Sequence, residues 1–197
     1  MRLLVVSCVV PVALLWLAVG CKSGSSVASA GAPTTAGTPT APSAAADCSP
    51  PQVQYTPYPG YDQGLSGIPW IRGEPPDTGL VALLWYWPNE WQRQRVREAR
   101  IFTGGVAPAG YNVKVMWVFV GRSNRGRGGR ELVVEGQRLD GPGRFHDSFS
   151  AIGYAGAQGA PSYASIIVVP EPGCWRLNLS TGRLRAHADF RAVSGES

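Results

Sequence analysis

The sequence is short of the residues on which most enzymes rely. It holds only two histidines, His146 and His187, and four cysteines among 197 residues. Metal ligation and imidazole catalysis therefore have few candidates. There is no H-E-x-x-H, no C-x-x-C, no phosphate-binding glycine loop and no G-x-S-x-G elbow, so the common signatures of zinc, redox, nucleotide and α/β-hydrolase chemistry are missing. His146-Asp147 with Ser148 and Ser150 supplies the residue types of a triad, and a hydrolase of envelope material using His146 is the enzymatic alternative. Adjacency in sequence, however, is not triad geometry. His187, flanked by Arg185 and Asp189, reads as a surface histidine. Lysine is scarce too: beyond Lys22 only Lys114 occurs, so arginine carries the net charge of +5. No apolar run after residue 20 approaches the roughly 20 residues that a membrane-spanning helix needs.

The first 20 residues do have the layout of an export signal, with Arg2, an apolar run from Leu3, and small residues before Cys21. Ala18-Val19-Gly20-Cys21 has the form of a bacterial lipobox, which predicts a diacylglycerol thioether on Cys21 and cleavage just before it. An ordinary cleaved signal or an uncleaved anchor is the competing reading, and Pro11 and the short apolar span oppose the latter. Two or more acyl chains would hold the protein durably at the membrane, on its extracytoplasmic face, where one chain is marginal. Residues 21–47 are almost entirely Ala, Ser, Thr, Gly and Pro. Such a segment buries too little apolar surface to offset its ordering entropy and is expected to be a disordered tether. A flexible chain of this length spans on the order of 25–30 Å.

Residues 48–197 remain as one domain. With Cys21 lipidated, Cys48 and Cys174 are left as a pair in an exported, oxidising setting, which predicts a disulfide. A catalytic cysteine is the alternative, but no activating base lies near Cys174 in sequence. No metal and no cofactor is expected.

Hydrophobic patterning in the domain has a period of two. Trp175, Leu177 and Leu179 alternate with Arg176, Asn178 and Ser180. After the turn at Ser180-Thr181-Gly182, Leu184, Ala186, Ala188, Phe190 and Ala192 alternate with Arg183, Arg185, His187, Asp189 and Arg191. This predicts a closing hairpin with one buried and one wet face. Residues 79–87, GLVALLWYW, form an unbroken apolar run expected of a strand buried on both faces. Residues 89–100 predict a loop or short helix ending in a strand near 99–103. YNVKVMWVFVG and ELVVEGQRLDG predict two further strands, joined as a hairpin through RSNRGRGGR, and SYASIIVVP another. Residues 141–161, rich in glycine and small residues, read as a long connection. Tyr55, Tyr58 and Tyr61 either form an exposed aromatic strip or pack over the side of the fold. The sum is an all-β domain, an immunoglobulin-like two-sheet antiparallel β-sandwich of about six to eight strands.

Four arginines, Arg122, Arg125, Arg127 and Arg130, fall in RSNRGRGGR. Guanidinium groups on a Gly-rich loop suit phosphate or carboxylate, onto which they fork. On an exported lipoprotein the polyanions at hand are lipid head groups and wall polymers, not nucleic acid. A solvated hairpin tip is the plain alternative.

Several stretches together resemble a group of uncharacterised lipoproteins of actinobacterial type. They are the lipobox at Cys21, the Ser/Thr/Pro linker, Cys48, the run Gly79 to Tyr86, Arg138-Leu139-Asp140-Gly141, and Pro172-Gly173-Cys174-Trp175-Arg176-Leu177. The resemblance spans nearly the whole domain. It implies an immunoglobulin-like sandwich stapled by a cysteine pair and no known reaction, which leaves a non-enzymatic binding or scaffold module as the expectation. The long arginine stretch departs from the group's pattern.

Overall fold

The computed structural model describes residues 48–58, 67–155 and 159–195. The segments read as an export signal and a tether, Cys21 and Tyr61 lie outside the described residues. The closing hairpin forms as its alternation requires. Strand β8 (Gly173–Thr181) pairs with β9 (Leu184–Val193), setting Trp175 against Phe190, Leu177 against Ala188 and Leu179 against Ala186. All six are buried, while Arg176, Asn178 and Ser180 remain partly open.

The other strands are β1 (Trp70–Arg72), β2 (Leu80–Leu84), β3 (Arg100–Phe102), β4 (Lys114–Phe119), β5 (Glu131–Arg138), β6 (Arg144–Ala155) and β7 (Ala160–Ile166), with one short helix, α1 (Asn89–Arg93). They join in a single sheet of order β1-β2-β4-β7-β6-β5-β8-β9-β3. Every residue of β2 is buried, as the unbroken apolar run predicts. Leu80, Ala82 and Leu84 enter the main core, whereas Val81 and Leu83 pack on the opposite face with Trp70 and Val118.

The all-β expectation holds, since strands take 51% of the described residues and helix 7%. The arrangement of the strands differs from the expected separate, antiparallel sheets. One mixed sheet of nine strands curls into a half-barrel, and β3 runs parallel to β9. The cause lies in β6, part of the stretch that reads as a connection. From Arg144 to Ser150 it pairs with β5, and from Ala151 it pairs with β7, with a register shift between Ala151 and Gly153. A bulge leaves one residue unpaired, bends the strand and increases its twist. The two halves of the sheet are thereby folded toward each other, and the Trp117 indole meets the Phe190 ring edge-on at 6.4 Å.

A second expectation is overturned. Strands β4 and β5 are not a hairpin: β4 lies between β2 and β7, and β5 between β6 and β8. RSNRGRGGR is instead a crossover from one half of the sheet to the other. Tyr55 and Tyr58 pack rather than forming an exposed strip. The Tyr55 hydroxyl donates to the Val96 carbonyl at 2.6 Å and accepts from the Trp87 indole N–H at 3.1 Å, and Tyr58 meets Trp70 edge-on at 4.9 Å.

Cys48 and Cys174 are bonded, with Cα atoms 5.6 Å apart across a separation of 126 residues. The buried Cys174 is the second residue of β8, so the bond ties the lead-in to the closing hairpin. Both cysteines and every described core residue fall within the compact unit Pro42–Ser197, which therefore holds all that the fold requires. The intact mass of residues 42–197, purified without reductant, should be lower by two hydrogen atoms than after reduction. Reduction should also lower stability by up to about 4–5 kcal/mol in the chain-entropy account, read as a drop in denaturation midpoint. Free thiols in the folded, oxidised protein would contradict the pairing.

Candidate functional site

The two short motifs shared by the resemblance form one structural clamp. Asp140 accepts from the Arg138 Nε–H at 2.7 Å and from the Cys174 backbone N–H at 2.9 Å. Arg138 reaches Glu171 at 2.8 Å, and the Trp175 indole N–H donates to the Glu171 carbonyl at 3.0 Å. Burial by itself would push the Asp140 carboxyl up, but the Arg138 hydrogen bond and the Cys174 N–H outweigh it and hold the carboxyl below its ordinary value. These residues brace the disulfide and the start of β8.

The arginine crossover is likewise fixed rather than free. The buried Asn124 amide donates to the carbonyls of Thr78 and Val120, both at 2.8 Å. Tyr163 donates to the Gly129 carbonyl at 2.8 Å, and the Gly129 N–H donates to the Thr181 hydroxyl at 2.8 Å. A Cβ on Gly128 would stand 2.6 Å from Pro161 and 2.9 Å from the Tyr163 hydroxyl, so only glycine fits there. Arg125, Arg127 and Arg130 extend from this anchored backbone and are exposed; Arg122 opens the 3₁₀ turn Arg122–Asn124.

The outer face of β6, β5, β8 and β9 carries a polar array. Directly paired residues of neighbouring strands stand side by side, so His146, Glu135, Asn178 and His187 form one row across four strands. On one side of it lies the row Arg144, Gln137, Arg176, Asp189, and on the other Ser148, Val133, Ser180, Arg185. Arg176 forks onto Asp189 at 2.8 and 2.9 Å. That bidentate bond raises the guanidinium pKa above its ordinary value. A shallow concavity of about 400 Å³ is lined by Glu135, Gln137, Arg144, His146 and Asn178. A second, of about 330 Å³, is lined by Glu135, Asn178, Ser180, Arg185 and His187. Glu135 and Asn178 line both, so the two concavities adjoin across the strands.

His146 Nδ1 lies 3.9 Å from Glu135 Oε1, and both side chains are about two-thirds exposed. The two histidines sit at the ends of the row, three strand spacings or about 14 Å apart. Among the described residues no hydroxyl is hydrogen-bonded to either histidine, and no three metal-capable side chains converge. The array can offer donors, acceptors and charge to an extended polar ligand. Glu135 and Asn178 at its centre escape sequence reasoning, because only the pairing of strands distant in sequence brings them together. No helix among the described residues is long and apolar enough to cross a membrane. No family model matches the chain, and no curated protein or solved structure matches it either.

Two substitutions test the framework around these surfaces. Asn124→Ala should leave two carbonyls unpaired and cost about 2–3 kcal/mol, measured as a shift in urea midpoint at unchanged slope. Asp140→Asn should cost about 1 kcal/mol near neutral pH, a modest figure because the carboxylate is partly exposed. Since the folded state lowers this group's pKa, its contribution is present above the ordinary carboxylate range and lost as pH falls below it. Wild type and Asp140→Asn should therefore converge in denaturation midpoint on acidification below about pH 4.

Proposed function

We propose that the protein is a lipid-anchored binding module of the cell envelope, non-enzymatic, held through Cys21 at the extracytoplasmic face of the membrane. In this reading it belongs with the lipoproteins it resembles, and the two halves of its curled sheet do the work of the two sheets of an immunoglobulin-like sandwich. The observation that carries the binding role is the groove formed by two adjoining concavities that share Glu135 and Asn178. It is open, mixed in polarity and built mainly on paired strands, which suits a rigid platform for an extended envelope ligand. The separation of the two histidines, and their lack of a hydroxyl partner, favour binding over hydrolysis. For anchoring, the support is the lipobox sequence alone.

Cell fractionation tests the anchor: Cys21→Ser should shift the protein out of the membrane fraction or leave its signal uncut, and unchanged retention would rule the anchor out. For the groove, residues 42–197 should sediment with an insoluble cell-wall preparation, and the pair Glu135→Ala, Asn178→Ala should weaken this roughly tenfold. Equal sedimentation of that variant would remove the groove as the ligand site, and turnover of wall material abolished by His146→Ala would replace binding with hydrolysis.

A further inference from the structure

The crossover and the turn of the closing hairpin lie against each other although they are about 50 residues apart in sequence. The Arg183 N–H donates to the Arg127 carbonyl at 3.1 Å, next to the Gly129–Thr181 hydrogen bond. Contact is close enough that a Cβ on Gly182, where φ is 51°, would stand 2.3 Å from the Arg127 oxygen. This gathers Arg127, Arg130 and Arg183 at one pole, all exposed and none in the described ion pairs. Arg125 and Arg185 are exposed beside them, with Arg185 donating to the carbonyls of Gly182 and Leu184 at 3.0 and 2.8 Å. Glu131, at the start of β5, is the adjoining exposed carboxylate.

Among the described residues five other arginines have carboxylate partners, Arg72 and Arg95 lie over the Trp70 and Tyr55 rings, and Arg97 and Arg144 are in no described ion pair. Arg93 pairs with Glu90, Arg100 and Arg191 share Glu98, Arg138 takes Asp140 and Glu171, and Arg176 takes Asp189. Several exposed guanidinium groups held together with Glu131 as the adjoining carboxylate leave a net positive local potential, which attracts anions. Position then narrows the partner. The chain enters the domain at Cys48, bonded to Cys174 near the start of β8, whereas the basic pole lies beyond Thr181 at its end. Seven residues at about 3.3 Å each put the pole roughly 23 Å from the point where the tether arrives.

We propose that this pole binds a phosphate-bearing polymer on the side of the domain away from its tether. Guanidinium groups fork onto phosphate oxygens, and several arginines on a fixed backbone match a repeating anion better than a single one. The outward orientation rests on the anchored reading above; the binding itself does not.

Long-chain inorganic polyphosphate, titrated into residues 42–197, is the probe. Binding should weaken steeply as salt rises past about 0.15 M, where the Debye length is near 8 Å. The triple substitution Arg127→Ser, Arg130→Ser, Arg183→Ser should lower affinity roughly tenfold or more. Arg93→Ser, Arg95→Ser, Arg97→Ser removes the same charge near the tether end and should change affinity less than about twofold. Single substitutions of Arg127 or Arg183 should shift binding in the same direction and keep the test open should the triple variant misfold. Equal losses from the two triple variants would reduce the effect to net charge and overturn the site. So would an absence of polyphosphate binding. Sedimentation with phosphatidylglycerol vesicles in preference to polyphosphate would assign the pole to a lipid surface and overturn the polymer. Polyphosphate binding that persists while Cys21→Ser leaves membrane retention unchanged would sink the anchor and spare the pole.

Discussion

The bend in β6 is the constraint on which the rest of the structure depends. One strand pairs with β5 along its first half and with β7 along its second, so both halves of the sheet share a single backbone. At the Ala151–Gly153 register shift that backbone turns, and the apolar faces of the halves close on each other. Trp117, Tyr163 and Phe119 from one half and Trp175, Phe190 and Leu132 from the other become fully buried. Burial of side chains this large is worth on the order of 1.5–3 kcal/mol each, so the bend governs the dominant favourable contribution to folding.

Closure of the core leaves the outer faces for everything else, and the two are treated differently. Outside β1, β2 and β4, Trp70, Val81, Leu83 and Val118 make a second apolar cluster onto which Tyr58 and Ile68 pack. Outside β6, β5, β8 and β9 the side chains are mostly polar, with Asp189 buried beneath Arg176. The lead-in is held to the fold by the disulfide, the Tyr55 hydroxyl, the packing of Tyr58 on Trp70, the Trp70 indole N–H donating to the Thr56 carbonyl, and backbone hydrogen bonds from Val53 to Arg97 and between Gln54 and Trp70. The Asp140 clamp supports the disulfide from the β5 side, so an edge that could fray is tied to the core.

Both candidate surfaces arise from contacts between segments distant in sequence. The groove needs β5 placed between β6 and β8. The basic pole needs the crossover to rest on the closing turn, which Thr181, Tyr163 and the absence of side chains at Gly128 and Gly182 allow. In each case the pairing is made by residues that are themselves buried or bonded. The exposed charges are thus carried on a fixed backbone, and ordering them for a ligand costs side-chain entropy alone.

Local chemistry was enough to determine several parts of the protein. Strict alternation in residues 174–192 fixes a hairpin and its buried face, because a period of two puts Trp175, Leu177 and Phe190 on one side whatever else surrounds them. The unbroken run of β2 announces a strand buried on both faces, and the two cysteines of the domain announce Cys48–Cys174. Tertiary structure alone decided the rest. Serines and glycines hide β6, since its alternation rests on Phe145 and Phe149 and its burial comes from partners elsewhere. Neither could the arginine stretch reveal itself as a crossover: a Gly-rich segment between two strands fits a hairpin equally well until β6 and β7 claim the places between them. The row His146, Glu135, Asn178, His187 is invisible for the same reason, because strand order and register are properties of the folded sheet and not of any one segment.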